Sequence, residues 1–362
     1  MKKVLAIMLV LALVVCVFAG CKKADAPADQ PADKPADTPA DTPADQPADA
    51  PADAPAAEKP VIAFVPKVIG QAWWDYVGEG VAAWAAENAD KAEVIYKGPA
   101  EVDAAAQVQI MTDLVNQGVD ALLFSPNDPN ACEEICKQAK DAGIIVISTE
   151  AATMTNVHYD VEAFDDAGLG AFLMDSLAKQ MGEEGEYITM VGSMTMESHN
   201  NWADAGVARA QEAYPNMTLV ADARVSSESD SEVAYNLVKQ MKQKYPNLKG
   251  ILGTSSFDAP GAARAIDELG LTGEMFAISV AMPSETRDYL KSGVLTAVGL
   301  WDPAVTAKCM LNLAVDMLAG AEVATGYDLG MPGYESVEVT GTLIVGDGAL
   351  AITAENVDSF TF

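Results

Sequence analysis

Short apolar runs recur along the chain at residues 61–65, 121–124, 144–147, 187–191, 219–221, 250–252, 276–280 and 295–298. Each has the length of a buried strand and is too short for a helix. Between them the apolar positions take helical spacing. Ala104, Val108, Met111 and Val115 follow i, i+4, i+7 and i+11 before Gly118, a residue that commonly ends helices. Val233, Leu237 and Met241 follow i, i+4 and i+8 until Tyr245-Pro246-Asn247, and the same triplet recurs at 214–216. Proline cannot continue a helix, so both triplets read as stops that feed the next strand. This alternation predicts an α/β fold of doubly wound parallel sheets with helices on both faces. A chain of 362 residues divides into two such lobes more readily than it forms one very large sheet. Ligands of these sheets sit beyond the carboxyl ends of the strands. The residues that follow the runs there are polar, aromatic and small: Pro66-Lys67, Ser125-Pro126-Asn127-Asp128, Ser148-Thr149-Glu150, Gly192-Ser193, Gly253-Thr254-Ser255-Ser256, Ala281-Met282-Pro283 and Trp301-Asp302.

Charge narrows the choice of partner. Lys and Arg number 22 against 53 Asp and Glu, a net charge of −31. Residues 1–21 carry +2 and residues 22–59 carry −5, which leaves −28 on the rest. So acidic a body repels phosphate backbones, which argues against nucleic acid as a partner. It is repelled by anionic lipid surfaces as well, so any attachment to a membrane needs another device.

The N-terminus supplies one. Lys2 and Lys3 precede an apolar stretch at 4–18, and Ala19-Gly20 lead into Cys21. The stretch is short for a membrane span and right for a signal-peptide core. The segment resembles a bacterial lipoprotein signal, which implies removal of residues 1–20 and lipidation of Cys21; Phe18 stands where that signal usually has Leu. An ordinary secretory signal with an incidental cysteine is the alternative. Residues 22–59 repeat Pro-Ala-Asp, with proline at every fourth position from Pro27 to Pro55. This composition has too little apolar surface to fold and favours an extended, self-repelling spacer. Its length favours the outer face of a Gram-positive cell membrane over a periplasm.

Of five cysteines, Cys16 leaves with the signal and Cys21 takes the lipid, so Cys132, Cys136 and Cys309 remain. An odd count argues against a disulfide framework. Cys132 and Cys136 stand at i,i+4 with no nearby His or Cys to complete a metal site, and read as buried thiols. No metal and no cofactor is expected. G-x-G-x-x-G after a strand, the P-loop pattern, G-x-S-x-G and H-E-x-x-H are all absent, and His158 and His199 lie far apart. Carboxylate pairs are abundant but none stands out as a glycosidase pair.

Several stretches carry a family resemblance: Pro66-Lys67 through Trp73-Trp74, Tyr96-Lys97-Gly98-Pro99-Ala100, Asn116-Gln117-Gly118-Val119-Asp120-Ala121, Ser125-Pro126-Asn127-Asp128-Pro129, Asn200-Asn201-Trp202, Tyr245-Pro246-Asn247-Leu248-Lys249-Gly250 and Gly299-Leu300-Trp301-Asp302. In this order, across residues 60–320, the chain resembles the type I periplasmic sugar-binding proteins, nearest to the rhamnose-binding and autoinducer-2-binding branch. The resemblance implies two lobes joined by three crossovers: 60–162 and 303–338 as the first, 163–302 and 339–362 as the second. It implies a non-enzymatic, monomeric substrate-binding component of an ABC importer. That protein captures a monosaccharide or sugar-like polyol in the interlobe cleft and delivers it to the permease, touching the membrane only through its lipid. An autoinducer-2 receptor is the alternative.

The resemblance also implies site residues. Lys67 falls where the autoinducer-2 branch places a lysine on its ligand, and Trp73 and Trp74 where the superfamily stacks aromatics on a sugar ring; Trp84 is assigned to the core. Glu150 stands at the first carboxylate of the family's Asp-x-Asp element, while Ala152 replaces the second. Ser198 and His199 replace the Asp-Gln or Asn-Gln of the two branches, which implies an altered hydroxyl map; an exposed loop histidine is the competing reading of His199. Glu162-Ala163 replaces another Asn-Gln pair. Pro260 and Ala262 match positions of backbone or apolar contact, Asp258 lies close enough to be recruited, and Trp301 matches a ring near a crossover.

Overall fold

The computed structural model describes residues 59–362. The signal segment, Cys21 and spacer residues 22–58 lie outside the described residues. In chain order the elements are β1 (Val61–Val65), α1 (Ala72–Glu87), β2 (Glu93–Tyr96), α2 (Ala104–Gln117), β3 (Ala121–Phe124), α3 (Pro129–Asp141), β4 (Ile145–Ser148) and β5 (Tyr159–Glu162). There follow α4 (Asp166–Met181), β6 (Glu184–Val191), α5 (Glu197–Ala213), β7 (Asn216–Ser226), α6 (Ser231–Lys244), β8 (Leu248–Gly253), α7 (Asp258–Glu268), β9 (Phe276–Ile278), α8 (Pro283–Ser292) and β10 (Ala297–Leu300). The chain closes with α9 (Pro303–Leu318), β11 (Glu338–Thr340), β12 (Leu343–Val345) and β13 (Leu350–Thr353).

The first sheet runs β11-β12-β5-β4-β3-β1-β2 and the second β7-β6-β8-β9. A bridge between Val280 and Gly299 continues the second sheet towards the antiparallel pair β10-β13. All pairs inside the two sheets are parallel except β11-β12. The chain therefore passes between the sheets three times, after β5, after β10 and after β12. Residues 339–345, expected in the second lobe, stand in the first: Leu343–Val345 adds beside β5, in register with Asp160, Val161 and Glu162. The third passage falls at 346–349, and only β13 and the residues beyond it return to the second lobe.

Local chemistry explains where the helices begin and end. Asp103, Asp128 and Asp302 each accept two backbone N–H groups at the start of α2, α3 and α9, a cap that contributes about 1 kcal/mol. In α3 and α9 a proline fills the first helical position, where no N–H is needed. Part of the polar palette after the strands is thus helix capping. Gly118 ends α2 in the left-handed conformation, φ 77°. In α6 the buried positions are Ala234, Tyr235 and Val238, one step round from the expected Val233, Leu237 and Met241, which sit on the flank of the packed face.

The run at 295–298 becomes a strand two residues later. Leu295 is used to close α8 instead: it is buried and its N–H returns to Tyr289 O, the apolar contact that follows a glycine-ended helix. Cys132, Cys136 and Cys309 are buried free thiols, and burial pushes all three above the ordinary thiol range. Trp84 lies in the core with its indole N–H on Asn312 at 2.7 Å.

Candidate functional site

The carboxyl ends of the strands of both lobes meet in one cleft. Lys67 follows β1, Trp73 and Trp74 open α1, and Glu150 follows β4. From the other lobe come His199 and Trp202 at the start of α5, with Ser198 reaching the Glu150 carboxylate behind the cleft wall, Ser229 after β7, residues 254–257 after β8, and Trp301 after β10.

One end of the cleft is ionic. Lys67 Nζ donates to Glu150 Oε2 at 2.6 Å and to Ser198 Oγ at 3.5 Å, and Ser198 Oγ donates to the same Glu150 oxygen at 3.2 Å. The pair is buried, with side chains 4% and 6% exposed. Glu150 Oε1 has no partner among the described residues, and one Lys67 hydrogen is unused. Glu150 sits at φ 59°, the left-handed region that costs a non-glycine residue of order 1 kcal/mol, so its carboxylate is held in place against a local backbone preference.

The backbone of Lys67 is fixed from below. Buried Gln107 on α2 donates to Pro66 O at 3.0 Å and Ser125 O at 2.8 Å, and its Oε1 accepts from Asn127 N at 2.8 Å. Asn127 Nδ2 in turn donates to Lys67 O at 2.7 Å. The loops after β1 and β3 are in this way stitched together by one amide side chain.

The other end is aromatic. Trp301 stands edge-on to Trp73 at 4.8 Å, to Phe164 at 5.1 Å and to Trp202 at 5.6 Å between ring centroids. Trp202 is anchored by its N–H on Asp166 Oδ1 at 2.6 Å, and by α4 pressing on α5 at Gly170, where a Cβ would meet Trp202 O at 2.6 Å. The indole N–H groups of Trp73, Trp74 and Trp301 have no partner among the described residues.

His199 lies between the two ends, buried and 5.6 Å from Trp202; it is not an exposed loop residue. Its Nδ1 accepts from Gly192 N at 3.1 Å, so the proton of the neutral ring sits on Nε2 and makes that atom a donor. Burial, with the Lys67 charge second, holds the ring well below the ordinary histidine range. Position 192 needs glycine, because a Cβ there would stand 2.5 Å from Ser229 Oγ and 2.8 Å from His199 Nδ1.

Three expected residues stand apart from the cleft walls. Asp258 is buried behind the 254–257 loop and accepts from Thr254 N and Ser255 N at 3.0 and 2.9 Å, with its pKa pushed up to about 6 by burial. Ala262 is fully buried in the second lobe, and Pro260 lies on the same helix without lining the cleft. Conversely, Gln71, Ser229, Met196 and Phe257 line the cleft without having been singled out. They sit on loops and helix starts with no spacing or charge to mark them.

The space these residues enclose is about 30 Å³, room for a water or two and less than a sugar fills. Two contacts span the lobes at the rim: the N–H and hydroxyl of Thr153 both donate to the Glu197 carboxylate, the former at 3.0 Å, and Gln71 Nε2 donates to Ser229 O at 3.5 Å. Among the described residues, the unused groups include Lys67, the His199 Nε2–H and three indole N–H donors, the Glu150 Oε1 acceptor, and the Ser229 and Ser256 hydroxyls. Such a set suits hydroxyl groups, which donate and accept, with ring faces for C–H surface.

Residues 62–322 match the periplasmic binding protein domain family, and the chain belongs to it. That membership places the chain outside the cytoplasm. Among curated relatives, the D-ribose/D-allose-binding protein of Pseudomonas aeruginosa is 26% identical over 276 residues, 73% of this chain and 83% of that one. The xylitol-binding protein of Mycolicibacterium smegmatis is 24% identical over 288 residues, 77% and 80% of the two chains. These relatives are binding proteins rather than enzymes. Among solved structures, LsrB from Clostridium saccharobutylicum in complex with AI-2 superposes with a TM-score of 0.76 at 23% identity, covering 83% of this chain and 100% of that one. A solute-binding protein from Clostridium phytofermentas with bound L-rhamnose gives 0.76 at 20% identity, covering 84% and 98%. At these identities the two structures speak for the fold.

Proposed function

We propose that the chain is the substrate-binding lipoprotein of an ABC importer, capturing a monosaccharide or sugar-like polyol between its lobes and handing it to the permease. The observation that carries this reading is the cleft: indole faces at one end, and at the other a buried Lys67–Glu150 pair with an unused acceptor oxygen and donor hydrogen. The curated relatives, named for ribose, allose and xylitol, point to the same class of ligand. Lys67, Trp73, Trp74, Glu150, His199 and Trp301 contact the ligand in this reading. Ser198 acts on it through Glu150, Asp258 shapes the 254–257 loop, and Pro260 and Ala262 support the helix behind it. Binding closes the lobes about the three crossovers and presents the permease with a joined rim. The protein works as a monomer held to the membrane by a lipid on Cys21.

Thermal unfolding of the full-length protein against ribose, allose, arabinose, rhamnose, xylitol and autoinducer-2 tests this. A ligand at about 100 times its Kd adds about 2.7 kcal/mol and a clear upward shift in Tm. A shift with one sugar or polyol is the expected result. A shift with autoinducer-2 alone would make the protein a signal receptor, and no shift with any of them would overturn the ligand class.

A further inference from the structure

The first crossover strand carries two buried carboxyl groups that do not line the cleft. Asp160 and Glu162, two apart on β5, share one side of the strand and are 0% and 6% exposed. Ser148 Oγ donates to Asp160 Oδ1 at 2.6 Å. Ala151 N, next to the ligand-facing Glu150, donates to Glu162 Oε1 at 3.3 Å. Asp160 Oδ2 has no partner apart from the Glu162 carboxyl beside it. Both groups stand at the hinge itself, since Glu162 O and Ala163 O accept from Gly346 N and Gly348 N at 2.8 Å each. The groups facing them are Glu150 after β4, Asp166 from α4, Glu197 from α5 and the Tyr334 hydroxyl; none of these is a cation.

Two ionised carboxylates cannot share a dry site with no cation between them. A proton on Glu162 Oε2 resolves the conflict: that oxygen donates to Asp160 Oδ2, while Oε1 accepts from Ala151 N. We propose that Glu162 works as a neutral carboxylic acid, a positioning residue whose proton holds it against Asp160, keeps its Oε1 on Ala151 N beside Glu150, and so makes ligand affinity depend on pH. Burial, with the Asp160 charge second, raises Glu162 well above the ordinary carboxyl range, and burial raises Asp160 to about 6. Loss of the proton turns a donor into an acceptor facing an acceptor and pushes a second negative charge against Glu150. For its ligand readout the proposal rests on the sugar-binding reading; for the proton itself it does not.

The test uses full-length wild-type protein, Glu162→Gln and Glu162→Leu. Tm is followed from about pH 5 to 9 without sugar, and Kd for D-ribose and xylitol is measured by calorimetry at the same pH values. A raised folded-state pKa means that stability is lost as pH rises through it, so this pair lowers the wild-type Tm with rising pH, most plainly above about 6.5, where the opposite contribution of His199 has ended. Glutamine keeps the Oε1 acceptor and supplies an N–H donor, so the Gln variant flattens that fall. Wild-type affinity weakens about tenfold from the acid to the alkaline end, the equivalent of one pKa unit of coupling. The Gln variant binds at the acid-limb strength throughout, and the Leu variant binds weakly at every pH. A Gln variant with the wild-type slope in Tm, or with affinity as poor as Leu, would overturn the proposal. A flattened Tm profile with neither ligand bound by any variant would uphold the proton and fault the sugar reading instead.

Discussion

The two ends of the cleft solve the same problem by opposite means. At the Lys67–Glu150 end, two polar side chains, one from each lobe, converge on one oxygen of the Glu150 carboxylate through directional hydrogen bonds. At the Trp301 end, the rings meet edge to face, with centroids 4.8, 5.1 and 5.6 Å apart, and none of these contacts is a hydrogen bond. Hydrogen bonds reject a wrongly placed hydroxyl because a buried group is then left unpaired, whereas ring faces accept any C–H surface of the right shape. In the proposed reading the ionic end therefore sets which ligand binds, and the aromatic end sets how tightly.

That division can be broken most sharply at Glu150. Glu150→Ala leaves Lys67 buried without its partner, so a stability loss of about 3 kcal/mol or more is expected, with binding of the identified ligand weakened roughly 100-fold; denaturant unfolding and calorimetry read the two effects. Trp301→Ala should cost stability comparably, about 3 kcal/mol, yet weaken all accepted ligands by a similar factor. A Trp301→Ala variant that reordered a sugar panel would contradict the division of labour.

A smaller effect is expected at His199. His199→Phe removes the Nε2 donor and strands Gly192 N–H, for about 1–2 kcal/mol of affinity. The depressed pKa of His199 has a sign of its own: the folded protein holds fewer protons at this site than the unfolded chain. Stability from the site is therefore present above the unfolded histidine value of about 6.5 and lost as pH falls below it. Following Tm from neutral to acid pH in wild type and His199→Phe isolates that part of the curve. The smallest change belongs to the rim. Thr153→Val removes the hydroxyl half of a solvent-facing contact to Glu197, leaving the backbone N–H in place, and should alter affinity by no more than about 1 kcal/mol, visible as faster ligand release in stopped-flow fluorescence.

The alternation of strands and helices was legible because central strands are continuous apolar runs and amphipathic helices carry their own spacing. The elements that escaped are the marginal ones. β2 and β11 are edge strands with mixed exposure, and β5 interrupts its apolar pattern with Asp160 and Glu162, whose burial depends on partners far along the chain. The gathering of Lys67, Glu150 and Trp301 into one cleft followed from their places after strands, which a parallel sheet brings to the same edge, whereas Trp73, Trp74 and His199 were expected there only through the family resemblance. Asp258 shows the limit of that logic: its position in the first turn of α7 turns the carboxylate back onto Thr254 and Ser255. Gln71 and Ser229 were invisible because a polar residue on a loop carries no mark of which lobe will face it.

The left-handed backbone at Glu150 bears on how this protein would respond to selection for heat resistance alone. Glycine adopts φ 59° freely, so Glu150→Gly relieves backbone strain, but it also strands Lys67. A double replacement that removes both the carboxylate and the ammonium escapes that penalty and yields a sturdier protein with no directional end to its cleft. Stabilising libraries screened without ligand would drift towards that pair of changes, and the residues they discard first would be those that confer choice of ligand.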